Sequence, residues 1–209
     1  MKTRLLLLIF GVFSGLMLIA LFLYPLPYNL TTDAVSNLGD PKLNPSGWFF
    51  FSFAFWFLAF MLPSIFMYLH KRLLHLYGNI TKIGTLFNIT SAIGMLLLGI
   101  FPSLEELFFF HALAAFLTFV GLVAGCICYW IAMIKETWSK AVKYRHLEII
   151  VILLLITILF GLVLILGIMS LEILPWSLGF PFWEWILLLT LTLQFAIFTL
   201  IIPDHFTPH

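Results

Sequence analysis

Six apolar runs divide the chain, at 5–24, 48–70, 83–101, 107–134, 147–170 and 182–202. A helix crossing a bilayer needs about 20 consecutive apolar residues, and each run is of that order. The pattern predicts an all-α polytopic transmembrane bundle of six spans in one domain, 1–209. Within the third run, Gly84, Asn88, Ser91 and Met95 recur at helical spacing and predict a packing seam of small and hydrogen-bonding residues. Within the fourth, Ala114, Ala115, Thr118, Gly121 and Gly125 fall near the same face as His111 at about 100° per residue. Small residues mark helix contact, so His111 is expected to point into the bundle. Gly11 and Gly15 permit a close approach of the first helix, Pro63 predicts a kink in the second, and Gln194 calls for an inter-helix hydrogen bond.

The segments between the runs are unequal. Residues 25–46 form the long one. It leaves the first run through the stiff Tyr24-Pro-Leu-Pro-Tyr28. One or two helical turns should follow, capped by Thr32 and stopped at a left-handed Gly39. Asn44-Pro45 reads as cap and first residue of the second span. Between the third and fourth runs lies a tight polar hairpin. There Ser103-Leu-Glu-Glu106 matches a capping box, with Leu107 stapled to Pro102. The first run follows Met1-Lys-Thr-Arg4, which resembles a secretory leader. Its length and the lack of a small-x-small site before Tyr24-Pro25 predict a retained helix.

Charge supplies orientation. Nine of the ten Lys and Arg residues lie before the first run, between the second and third, or between the fourth and fifth; only Lys42 lies on the other side. Loops rich in Lys and Arg stay in the cytoplasm, so both termini are expected there, with the protein in the cell membrane. Residues 25–46 and 102–106 are then external. The basic cluster at 135–146 attracts anionic lipid in principle, although orienting the chain already accounts for it.

Composition sharpens the class. The chain is 63% hydrophobic and 9% charged, with 24 Phe and a mean hydropathy of +1.16. A soluble domain carries about a quarter charged residues, so lipid is the main solvent of this surface. A net charge of +1 provides no field for nucleic acid. Cys126 and Cys128, two apart on a helix, point to different faces and predict neither a disulfide nor a zinc clip.

Polar groups at membrane depth are costly and need an account. Capping explains Glu106 well and Glu105 in part; it does not explain His111, whose natural partners are Ser36, Asn37 and Asp40 on the long loop. The loop at 32–44 is therefore expected to fold over the 102–106 hairpin. Asn37, Asn44, Glu105 and Glu184 are the other polar residues available to a ligand at the outer boundary, with Glu184 also explained by exposure to headgroups. Three function classes follow. The favoured one is a non-enzymatic binder of membrane lipid or a small ligand, or an accessory subunit of a larger membrane complex. The alternative is an intramembrane lipid-modifying enzyme, such as a hydrolase, with His111 and Asp40 as base and orienter or as metal ligands, and Ser36 as nucleophile. A transporter or haem carrier ranks third: no repeat is visible, and only His70 and His146 offer a bis-histidine pair at equal depth. The metal and cofactor, if any, are not specified by these residues.

Ser36-Asn-Leu-Gly-Asp40, followed by Asn44-Pro45, Gly99-Ile-Phe-Pro102 and His111, resembles a prokaryotic family of six-span hypothetical membrane proteins, domain of unknown function 998. The resemblance spans nearly the whole chain. It implies a helical membrane fold and no settled activity. It directs attention to Ser36, Asn37, Gly39, Asp40, Asn44, Pro102 and His111.

Overall fold

The computed structural model describes residues 2–75, 77–139 and 180–201, with 151, 155, 156 and 158 as isolated helical positions. The expected fifth span at 147–170 is thus described only at those isolated positions, while residues 140–146, 171–179 and 202–209 lie outside the described residues. All regular structure described is helical. It comprises α1 (Lys2–Phe22), α2 (Trp48–Leu73), α3 (Gly78–Ile100), α4 (Phe108–Ser139) and α5 (Phe180–Ile201), with short 3-10 turns at Val35–Gly39 and Glu105–Leu107. Four stretches, Arg4–Phe22, Trp48–Leu73, Gly78–Ile100 and Glu105–Ile134, are long and apolar enough to cross a membrane. They make this an integral membrane protein. The described apolar stretch of α5, Glu184–Phe195, is shorter than a span.

Each helix is apolar all round, and packing rather than polarity decides which face turns inward. In α1, Leu6, Ile9, Phe13, Met17 and Ala20 repeat every three or four residues and are buried, while Leu7, Leu8, Leu18 and Phe22 are exposed. The buried stripe lies on α2, with Phe13 edge-on to Phe55 at 5.8 Å between ring centroids. The chain then packs each helix against the next, α2 on α3 and α3 most extensively on α4, while α5 touches α1 and α4. Gly11 and Gly15 have open space around them among the described residues. Pro63 sits inside an α2 that continues ten residues beyond it, to Leu73.

The α3–α4 contact follows the expected seam. Gly84, Asn88, Ser91 and Met95 are all buried, and so are His111, Ala114, Thr118, Gly121 and Gly125 on α4. Two glycines make the approach possible. A Cβ on Gly94 would stand 2.5 Å from the Thr118 backbone nitrogen, and one on Gly121 would stand 2.8 Å from the Phe87 carbonyl oxygen. Lipid tails are as apolar as the helices, so close van der Waals contact and inter-helix hydrogen bonds supply the association.

Those hydrogen bonds cluster at two places. Near the end of the bundle that carries Lys71, Arg72 and Lys82, the Thr85 hydroxyl meets His70 Nδ1 at 2.8 Å and the Tyr129 hydroxyl at 3.0 Å, joining α2, α3 and α4. Farther along, Trp130 Nε1 donates to Gln194 Oε1 at 3.2 Å and ties α4 to α5, the inter-helix role expected of Gln194. Cys126 and Cys128 are free thiols.

Candidate functional site

The opposite end of the bundle gathers the termini of five helices: the ends of α1 and α3 and the starts of α2, α4 and α5. The chain between α1 and α2 forms a lid over this end. Asn44, Glu184, Trp185 and Tyr28 hold the lid in place, and the first two were candidates for ligand binding.

Asn44 is fully buried. Its Nδ2 donates to the Ala20 carbonyl on α1 at 2.9 Å and to the Leu38 carbonyl of the lid turn at 3.0 Å. One amide thus fastens α1 to the lid. A Cβ on Gly47 would collide with this amide, so the backbone leaves it room only because residue 47 is glycine. Asn44 does not cap α2: the helix begins at Trp48, with Gly47 at the N-cap. Asn44 instead accepts the Gly47 and Trp48 N–H groups through its backbone carbonyl, forming the turn that precedes the helix.

Glu184 is buried in the first turns of α5, and its Oε2 accepts the Val35 N–H at 2.9 Å. It faces the lid rather than headgroups. The start of a 3-10 turn leaves backbone N–H groups without helical partners, and a carboxylate from 149 residues away satisfies one of them. Next to it, Trp185 Nε1 donates to the Tyr28 hydroxyl at 3.3 Å. That hydroxyl in turn donates a bond shared between the Asp33 and Ala34 carbonyls, at 2.9 and 2.8 Å. Burial, opposed by the Trp185 bond and reinforced by Glu184 and Asp33, pushes the Tyr28 phenol well above its usual range. It stays a proton donor to the lid at any physiological pH.

The lid turn itself differs from expectation. It runs Val35–Gly39 with Ala34, not Thr32, as N-cap. Gly39 is the last residue inside the turn, and Asp40 follows in extended conformation at φ −86°. The lid presses so closely on α2 that a Cβ on Gly39 would run into the Phe51 ring. Close approach, rather than a left-handed backbone, requires the glycine. The hairpin also departs from its predicted cap. Ser103 does not cap α4: Glu105–Leu107 forms a 3-10 turn preceded by Leu104, without a side-chain cap bond. Glu106 reaches outward instead, to Lys42 Nζ at 3.2 Å. Lid and hairpin are thereby joined by an ion pair whose side chains are 62% and 68% exposed. Such a pair contributes little to stability, but it records that the lid does fold over the hairpin.

Between them lies an open cleft of about 520 Å³. The lid supplies Asp40, Lys42 and Leu43, and the hairpin supplies Ser103, Leu104, Glu105 and Phe108. Asp40 is 8% exposed. Its Oδ1 accepts the Lys42 N–H at 2.7 Å and, more weakly, the Leu43 N–H at 3.4 Å. Its Oδ2 accepts none among the described residues. The cleft thus combines two carboxylates, one ammonium and one hydroxyl with three apolar side chains, and opens beside the exposed Phe108, Phe109 and Phe110.

His111 sits behind the cleft, not on its wall. It is 7% exposed, and Nδ1 bonds the Phe101 carbonyl at 2.9 Å. A carbonyl only accepts, so Nδ1 carries the proton and Nε2 is the free nitrogen. Ser36 and Asn37 occupy the lid turn half-buried and make no side-chain hydrogen bond among the described residues. Of the candidates, the fold brings Asp40 and Glu105 to one cleft, places His111 beneath it, and uses Asn44 and Glu184 as fasteners. The residue overlooked was Lys42. Its position as the one Lys or Arg between the first and second apolar runs was the available signal. No group of three or more His, Cys, Asp or Glu able to hold a metal ion occurs among the described residues.

No curated protein and no solved structure matches the chain. The model of one family does, over residues 6–201. The chain therefore belongs to the family described as protein of unknown function (DUF998).

Proposed function

We infer that this protein is a six-span membrane protein, with both termini cytoplasmic, that binds the headgroup region of a membrane lipid in the cleft between lid and hairpin. The cleft is the observation that carries the reading. It lies at a bundle end, it is open, and it sets Asp40, Lys42 and Glu105 beside Leu43, Leu104 and Phe108. That mixture suits a molecule with a charged head and an apolar tail; ligand sites in general pair apolar walls with a few placed polar groups. The concentration of Lys and Arg at the opposite end favours a cell-membrane setting with the cleft facing outward. Binding needs no chemistry, and an accessory subunit presenting lipid to a larger complex uses the same cleft.

The direct test is lipid retention. The full-length protein is purified in mild detergent and its bound lipid counted by native mass spectrometry. Wild type should keep lipid through a stringent wash. Ser103→Trp, which fills the cleft from its wall, should lose most of it. Equal retention by both would remove the cleft as the binding place.

One observation favours a second reading, the lipid-modifying enzyme. The Phe101 carbonyl holds His111 in the tautomer whose Nε2 is unprotonated, as an oriented general base requires. This reading expects release of a labelled headgroup from reconstituted vesicles, abolished by His111→Gln. Vesicles that keep their label beside active wild-type protein exclude it.

A further inference from the structure

We propose that Asn29, on the lid, is the acceptor for an N-linked glycan on the outer face of the membrane. The inference rests on the orientation proposed above and is independent of what the cleft holds. Asn-x-Ser/Thr, with any residue but proline between, is the acceptor pattern for N-glycosylation. The chain contains it three times, at Asn29-Leu-Thr31, Asn79-Ile-Thr81 and Asn88-Ile-Thr90. A further Asn-x-Ser, Asn44-Pro-Ser46, carries the excluded proline.

The structure separates the three. The pattern names two side chains, an amide and a hydroxyl two residues on, so a transferase that reads both must reach them from one side. Residues i and i+2 of a helix do not face each other, and the second and third matches both lie within α3. There Thr81 is buried, with its hydroxyl donated to the Leu73 carbonyl at 3.0 Å, and Asn88 is buried in the seam with α4. Asn79 also stands at the end of the bundle that carries Lys71, Arg72 and Lys82, the end expected in the cytoplasm.

Asn29 differs on each count. It is exposed, Leu30 beside it is 52% exposed, and the segment is a turn outside any helix. The Thr31 hydroxyl and the Thr31 N–H both donate to Asn29 Oδ1, at 2.8 and 3.0 Å. Amide and hydroxyl therefore stand together on one side of the chain. The Asn29 carbonyl accepts the Thr32 and Asp33 N–H groups, and its own N–H donates to Asp33 Oδ2 at 2.7 Å, so the turn is held by its backbone. Asn29 Nδ2 makes no hydrogen bond among the described residues and is the atom left for chemistry. A glycan is bulky and hydrophilic, and an exposed external turn has room for it.

The co-reactant is a glycan carried on a polyisoprenoid phosphate or diphosphate, delivered by a membrane oligosaccharyltransferase. Asn29 Nδ2 attacks the anomeric carbon. The C–N bond forms as the C–O bond to phosphate breaks, the electron pair leaves on the phosphate oxygen, and one Nδ2 proton passes to a base of the transferase. Nothing is oxidised or reduced.

The test is peptide mass spectrometry of the full-length protein expressed in its own organism and extracted from its membranes, with fragmentation that keeps sugars attached. Wild type should show sugar mass on Asn29 and none on Asn79 or Asn88. Thr31→Val should lose the added mass, Thr31→Ser should keep it because the hydroxyl remains, and Asn29→Gln should lose it. A bare Asn29 in wild type overturns the proposal, as does a glycan undiminished in Thr31→Val. If Asn29 is bare while Ser36→Cys labels only from outside the cell, the glycan assignment falls and the orientation stands. Sugar on Asn79 with none on Asn29 reverses the orientation and takes the proposal with it.

Discussion

Asn44 shows how a single polar residue is placed by the backbone around it. Its amide is buried where no water competes, and two carbonyls from different elements depend on it. Asn44→Ala leaves both carbonyls buried without this donor. At a cost of about 1–3 kcal/mol for buried polar groups left unsatisfied, the variant should unfold at a clearly lower temperature in detergent. Asn44→Asp should do no better, because a carboxylate cannot donate. Tyr28 provides a graded comparison. Tyr28→Phe removes the bonds to Asp33, Ala34 and Trp185, whereas Trp185→Phe removes only the last. Protease nicking of the 28–40 segment, measured in intact vesicles, should therefore rise more in Tyr28→Phe than in Trp185→Phe. Equal susceptibility would mean that the Tyr28 hydroxyl does not hold the lid.

At the scale of elements, the α3–α4 seam is the firmest contact and the most legible one. Small residues at helical spacing marked it, and the backbone approaches closely where they stand. Gly94→Ala and Gly121→Ala each push a methyl group against backbone atoms that cannot rotate away. Overpacking of this kind costs about 1–3 kcal/mol, so both should lower the thermal midpoint. The inward aim of His111 was legible for the same reason as the seam: the helical period places it among small residues. The lid was much less so. Its turn begins at Val35 because Glu184, on the last helix, accepts that N–H, and nothing local to Thr32 reveals this. The expected capping box at Ser103 does not form, and Glu106 pairs with a lysine 64 residues away. Local motifs describe what a segment prefers alone; at this end of the bundle, groups distant in sequence also take part.

For the whole molecule, the two ends are unlike. One carries Lys71, Arg72 and Lys82 near a hydrogen-bonded knot of His70, Thr85 and Tyr129. The other carries the lid, the carboxylates and the cleft. That asymmetry follows from charge written along the sequence, and the orientation proposed above rests on it. Cysteines introduced at Ser36 and at Lys71 should label from opposite sides of an oriented vesicle, with Ser36→Cys reached from outside the cell. Labelling of both from one side would break the assignment.

The claim that joins these levels is that lid and hairpin together make a lipid site. A photoactivatable phosphatidylethanolamine, carried in vesicles with the full-length protein and mapped by peptide mass spectrometry, tests it most directly. Its adducts should concentrate on 40–43 and 103–108, the two segments that line the cleft, and should fall when Ser103→Trp fills it. Adducts spread evenly over the exposed phenylalanines of α2 and α4, and indifferent to Ser103→Trp, would show a protein wetted by lipid at every face and holding it at none.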